Sequence, residues 1–446
     1  MKLQSITTTG ITLSLMGLLL GAAEKAEAAS FSFTKIADSN TLVPSGTNNF
    51  FNFDVPSIDG GRVVFRGSSF DNEGIYTNFG GSLNVLADRN TPFPGGTGTF
   101  GFFSPTVSLE GQNVAFLGRD NTQFSDQEAI FTNIGGSLNV VADRNTPIPG
   151  GRGNFSRFAL NPSLSNGNVA FVGRDSNFLQ RDPSGQEGVY TNIGGSLNVV
   201  ADTNTSIPGG NGKFTYFEDA SLDNGSVAFI GQQGNSSLIS DIGIYTNIGG
   251  SLNVVADKTS SVPGGTGTFG YFDGLSFKSG HVAFRAFGSG GETGIYTNIG
   301  GSLNMVADTN TLIPGETGTF NWFALPSFDG QNVAFLGSMY DDFYSGSGYR
   351  GIYTNLGGSL TKVIDLKDSL DGKTLKYLDI SRQGLSGDAI AFRASFTDGS
   401  QGIYVAKTVS QPVKSVPEPT ATLGLLAFGA FSAGSMLKRQ QKKQIN

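Results

Sequence analysis

The sequence predicts an all-β protein, a seven-bladed β-propeller of four-stranded antiparallel blades. Three observations predict it: a unit of 51 to 59 residues recurs seven times, each copy holds four short strand signals, and the series opens and closes one strand out of phase. The composition agrees. Gly fills 65 of 446 positions and charged residues only 15%, against about 7% and about 25% in ordinary globular domains, which marks a turn-rich chain. Hydrophobic residues, 38% of the whole with 36 Phe, supply a substantial core. There is no Cys, which excludes disulfides, thiolate zinc sites and thiol nucleophiles.

In chain order the first element is a signal peptide over residues 1–29. Lys2 precedes an apolar run from Ile11 to Ala23, and Ala26-Glu27-Ala28 places small residues for cleavage at Ala28 and Ala29. An uncleaved anchor is the alternative, but the run falls short of the roughly 20 residues a spanning helix needs.

Residues 30–406 form the propeller. Gly-Ile-Tyr-Thr-Asn recurs at Gly74–Asn78, Gly243–Asn247, Gly294–Asn298 and Gly351–Asn355, with variants at Ala129–Asn133 and Gly188–Asn192 and a worn copy at Gly402-Ile403-Tyr404. A Val-Ala-Phe segment precedes each, from Val63-Val64-Phe65 to Ile390-Ala391-Phe392. A Gly-Gly turn, a strand such as Leu197–Asp202, a Pro-Gly-Gly loop and a strand around Pro162-Ser163-Leu164 complete the unit. These are four strands, a (Pro-Ser-Leu), b (Val-Ala-Phe), c (Gly-Ile-Tyr) and d (Asn-Val-Val-Ala-Asp), rich in Val, Ile, Tyr and Phe and bounded by Gly, Asp and Asn. Ser32–Asp38 reads as a d strand at the front, and the seventh unit stops after strand c. The N-terminus is therefore expected to complete blade seven, whereas a solenoid would need two polar caps. The motif set resembles TolB-type propeller repeats across residues 32 to 406, which implies fold rather than activity.

A linker, 407–415, leads to a last segment, 416–446. There Val416-Pro417-Glu418-Pro419 is followed by an apolar stretch from Thr420 to Leu437 and by Lys438, Arg439, Lys442 and Lys443. Eighteen residues at about 1.5 Å each span roughly 27 Å, close to the hydrocarbon thickness, with the basic cluster held on the cytoplasmic side. The arrangement resembles the PEP-CTERM sorting signal. That resemblance implies an exosortase as partner, with Pro417, Glu418 and Pro419 as its recognition element. It also implies a membrane-anchored precursor and a product at the cell surface or outside the cell. A permanent single-pass anchor is the alternative.

Setting aside the six cations and three carboxylates of the two ends, the 29 basic and 36 acidic side chains become 23 and 33, a net charge of about −10. Such a surface repels phosphate backbones and argues against nucleic acid. In an up-and-down meander the d-to-a and b-to-c connections share one face, and the b-to-c loops vary most, so that face is the expected binding surface. Its candidates are Arg174, Asp175 and Asp182 in one loop and Tyr340, Asp341, Asp342 and Tyr344 in another. Aromatics beside carboxylates suit stacking on sugar rings or, through oxygen ligands, a calcium ion. The recurrent Asp88, Asp143, Asp202, Asp257 and Asp308 more simply cap turns. The recurrent Phe100, Phe155, Phe214, Phe269 and Phe320, with Trp322, are expected to pack between blades.

No catalytic set assembles. His281 is the only histidine and is expected in a turn, so a Ser-His-Asp triad lacks alternatives, and Gly372-Lys373-Thr374 lacks the rest of a phosphate loop. The expected function is a non-catalytic surface or matrix protein binding exopolysaccharide or another envelope component. The alternatives are a glycan-active enzyme working through carboxylates, for which two acids in one cleft would speak, and a protein-interaction platform.

Overall fold

The computed structural model describes residues 29–44, 46–122, 127–179, 185–235, 238–339 and 350–409. Ala28, Asp182, Tyr340, Asp341, Asp342, Tyr344 and the Pro417-Glu418-Pro419 segment lie outside these residues. The chain divides into Met1–Thr408 and Val409–Asn446, and the fold that follows is that of the first unit. Among the described residues no helix is long and apolar enough to cross a membrane.

Seven antiparallel sheets follow one another, one per repeat. Blades 1 to 6 take residues 52–88, 100–143, 157–202, 216–257, 269–308 and 322–365, and blade 7 takes 369–409 with the opening strand Ser30–Asp38. Each runs a, b, c, d from the inside outward. The a strands touch round a closed cycle: 57–59, 108–110, 163–165, 216–223, 269–278, 327–328, 385–386 and back to 57–59. The protein is a seven-bladed β-propeller. Its opening strand lies beside the final one, Gln401–Val409: the Ser39 N–H donates to the Gln401 carbonyl at 3.0 Å, the Gln401 N–H donates to Ser39 Oγ at 2.9 Å, and Ser32 Oγ reaches the Lys407 carbonyl at 3.4 Å. The N-terminus closes blade 7, as the phase of the repeat requires.

Each recurrent residue has a structural task. In blade 2, Phe100 stacks on Phe103 and meets Phe131 edge-on, with ring centroids 4.9 and 5.0 Å apart, and the same cluster recurs in blades 1 and 3 to 6. These rings fill the space between blades: Phe50, Phe53, Phe65 and Tyr76 of blade 1 pack with Ala389, Ala391 and Ile403 of blade 7. The b strand supplies room for the ring through a glycine, since a Cβ on Gly118 would lie 2.7 Å from Phe100 Cε1.

The Asn that ends each Gly-Ile-Tyr-Thr-Asn motif fastens strand b. Asn78, Asn133, Asn192, Asn247, Asn298 and Asn355 accept, through Oδ1, the backbone N–H of Val63, Val114, Val169, Val227, Val282 and Val333 at 2.6–2.7 Å. The Gly-Gly turn that follows needs left-handed backbone at both positions, as at Gly194 (φ 84°) and Gly195 (φ 87°), which only glycine adopts without strain. The d-strand aspartates close turns as expected: Asp202 Oδ1 accepts the Asn204 N–H and the Thr205 hydroxyl at 2.9 and 2.8 Å. His281 stands one step from its expected turn, opening strand b opposite Lys278.

Serines of the a strands hold blade to blade around the axis. Leu164 N–H donates to Ser108 Oγ, Leu222 N–H to Ser163 Oγ and Leu385 N–H to Ser327 Oγ, at 2.8–2.9 Å. The Ser of Pro-Ser-Leu is thus an inter-blade tie.

Candidate functional site

Strand a enters the ring on the d-to-a and b-to-c face, and its first residues surround the mouth of the central channel. The residue just before each buried a-strand ring, or before the buried Leu378 in blade 7, is Phe102, Tyr216, Tyr271, Trp322 and Tyr377 in blades 2, 4, 5, 6 and 7, and all five are half-buried. Arginines lie against four of these rings. Arg119 and Arg66 sit over Phe102 at 4.9 and 5.8 Å, Arg174 over Tyr216 at 5.3 Å, and Arg350 between Trp322 and Tyr377 at 4.8 and 4.7 Å. The guanidinium faces so held are partly desolvated and fixed in orientation.

Carboxylates hold the same arginines from the other side. Glu128 accepts from Arg119 Nε at 2.5 Å and from Arg157 at 3.3 Å, and its second oxygen takes the Phe158 N–H of the next blade at 2.8 Å. Glu187 repeats this one blade on, pairing with Arg174 and accepting the Phe217 N–H at 3.0 Å. Burial pushes the Glu187 carboxyl up to about 7, against the pull of Arg174 and the Phe217 N–H. On blades 3 to 6 the mouth opens into a cavity of about 530 Å³ lined by Arg174, Tyr216, Glu218, Asp273, Arg285 and Trp322.

Of the residues singled out in the sequence, Arg174 lines this cavity. Asp175 does not, since it is buried and its Oδ1 accepts the Phe178 N–H at 2.7 Å, holding the short helix Ser176–Leu179. Tyr216, Glu218 and Asp273 in strand a and Arg285 in strand b were missed, because they lie in strands where the repeat reads as core. Trp322, expected as packing, has one face toward the mouth. The alternation of mouth aromatic, buried ring and polar residue, as in Tyr216-Phe217-Glu218, is the signal that could have found them. Among the described residues no group of three or more His, Asp or Glu side chains is placed to hold a metal ion.

Below the mouth a cavity of about 480 Å³ occupies the axis. Blade 7 fills part of it, its a-strand connection running two residues longer than in blades 1, 4, 5 and 6. The Gln383 carbonyl accepts the Ile58 N–H of blade 1 at 2.8 Å, and its side chain bonds Leu109 N–H and Ser108 Oγ of blade 2, both at 3.0 Å. Arg382 reaches across to Asp219 of blade 4 at 3.0 Å, and its carbonyl accepts Ser276 and Ser327 of blades 5 and 6 at 3.2 and 3.1 Å. The pair Arg382-Gln383 spans the channel.

A family of unknown function, DUF7453, matches residues 22–180 and again 178–389, most of the chain. The chain belongs to the DUF7453 family. Each match takes in a run of DUF7453 blades rather than the whole ring. Comparison of this DUF7453 chain with curated proteins gives no match. Similar solved structures include Sqt1 of Saccharomyces cerevisiae (10% identity, 86% of this chain and 99% of that one, TM-score 0.34). The polysaccharide lyase Uly1 is similar too (10%, 86% and 98%, TM-score 0.43), as is the Trypanosoma rangeli sialidase in complex with sialic acid (11%, 86% and 59%, TM-score 0.35). At these values they carry no inference about what this DUF7453 member binds.

Proposed function

We propose that the protein is an exported, non-catalytic surface or matrix propeller that binds exopolysaccharide or a related envelope glycan at the channel mouth. In this reading the tail from Pro417 to the basic cluster is cut by an exosortase after serving as a membrane anchor. The observation that carries the glycan assignment is the set of five half-buried aromatics round the mouth, four of them against arginines, on a rigid ring. Such surfaces suit sugars: the ring face stacks on the C–H face, and charged groups fixed nearby meet the hydroxyls. The test is binding of the secreted protein to the producing cell's own exopolysaccharide. Trp322→Ala and Tyr216→Ala are expected to weaken it by about tenfold or more, the effect of losing an anchoring aromatic, with far-UV spectra unchanged. Equal binding by all three forms would remove the mouth from the account.

A second reading, glycan cleavage by carboxylates, is favoured by Glu218 and Asp273 lining one cavity. Shortened polysaccharide chains after incubation, lost in Glu218→Gln, would decide for it.

A further inference from the structure

Strand a carries, two residues after each mouth aromatic or its counterpart, Asp54, Ser104, Ala159, Glu218, Asp273, Ala324 and Asp379 in blades 1 to 7. The residues facing them on strand b are Arg66, Leu117, Val172, Ile230, Arg285, Leu336 and Arg393. The two series are matched. Asp54, Asp273 and Asp379 each form an ion pair with the arginine opposite, and Ser104, Ala159 and Ala324 face aliphatic side chains. Blade 4 alone breaks the rule, with Glu218 facing Ile230.

Among the described residues the Glu218 carboxylate has neither a hydrogen bond nor an ion pair, while every other charged group of its cavity is compensated. Asp273 is held by Arg285, Asp219 by Arg382 and Asn161, and Arg174 by Glu187. The cavity therefore carries one carboxylate with no ion-pair partner, near enough to Tyr216 on its own strand and Tyr271 on the next blade to act on both, with Trp322 in the wall. A half-buried carboxylate close to aromatic side chains suits a compact organic cation. A hard divalent ion needs six or more oxygens, which the described residues do not gather.

We propose that the mouth recognises a protonated amino group on its glycan, a free 2-amino sugar unit, with Glu218 as the counter-ion that blade 4 leaves open. This rests on the reading of the mouth as a polysaccharide site and names its ligand class. Burial first, then the charges of Asp219 and Asp273, raise the Glu218 carboxyl above its ordinary value, and Arg174 opposes them. Around it the fixed charges are Glu187 and Arg174 from blade 3, Asp273 and Arg285 from blade 5 and Arg382 from blade 7. The ionised form is the one that binds a cation, so acid weakens binding, and it does so at a higher pH than for an unperturbed glutamate.

The experiment titrates the intact secreted protein with glucosamine oligomers and with N-acetylglucosamine oligomers of equal length at pH 7. Wild type is expected to favour the free amine by at least about tenfold, the scale of one charge-assisted contact. Glu218→Gln should erase the preference, bringing the free-amine oligomer's affinity down to that of the acetylated one measured on the same variant, with the melting temperature in place. A preference absent from wild type, or unchanged in Glu218→Gln, overturns the proposal. If the exopolysaccharide then still binds in a Trp322-dependent way, the glycan reading survives without it; if no glycan binds, both fall.

Discussion

Glu187 is a buried acid whose protonation the fold shifts. Its carboxyl is raised from 4.5 to about 7, so the folded protein binds that proton more tightly than the unfolded chain. Its contribution is therefore fully present below about pH 4.5 and is lost as pH rises through about 7. Thermal melts of wild type and Glu187→Gln should show a wild-type advantage that shrinks from pH 4.5 to pH 8, and a constant difference would refute the assignment. A second case lies beside the d-strand aspartates. Asn72 donates to Asp88 and Gln186 to Asp202, at 2.9 and 3.1 Å, but blade 4 places Asp241 at this position, beside Asp257. Burial and then the Asp257 charge raise Asp241, a conflict the amide avoids. Asp241→Asn should stabilise the protein at pH 7 by about 1 kcal/mol, the worth of one hydrogen bond, read from denaturant midpoints. The sequence displayed every one of these residues. It did not display their partners, because Asn192 bonding Val169, or Glu187 bonding Phe217 across a blade gap, depends on register between strands that pattern alone leaves unspecified.

At the scale of elements, the four strands were legible because Gly, Asp and Asn punctuate them, and the fourfold phrase repeats often enough to separate signal from chance. Two features were not. Strand c in blades 1 to 3 is buried at every position, so it shows no alternation. The bulge between its central residues and strand d, as between Ile130 and Phe131, leaves no mark in composition. Recurring in six blades, this bulge twists the exposed outer strand away from flat pairing. Strand b tolerates change least at its glycine. Gly118→Ala should cost about 1–3 kcal/mol, the range for overpacking, since the new methyl meets the Phe100 ring. Calorimetry would measure it, and an unchanged melting temperature would mean that the ring yields freely.

At the scale of the whole molecule, blade number and ring closure followed from the phase of the repeat, which needs no knowledge of side-chain contacts. The site did not follow, because loop variability drew attention to Arg174 and Asp175 while the mouth is built from strand ends that read as core. The channel-spanning pair Arg382-Gln383 was equally hidden in the least regular unit. It bonds to five of the other six blades. Arg382→Ala with Gln383→Ala should destabilise the propeller by about 2–4 kcal/mol, the sum expected for several buried polar contacts. A stability loss below 1 kcal/mol would show that the blades hold without it.

The pairing of Ser30–Asp38 with Gln401–Val409 also sets an order of events in the cell. Their bonded residues Ser39 and Gln401 stand 362 positions apart, so at about 10 residues per second the first strand made waits roughly half a minute for its mate. Through that interval a newborn six-blade arc carries two unsatisfied rims. Whatever escorts it during synthesis must keep those rims from joining a neighbouring chain before the last blade arrives.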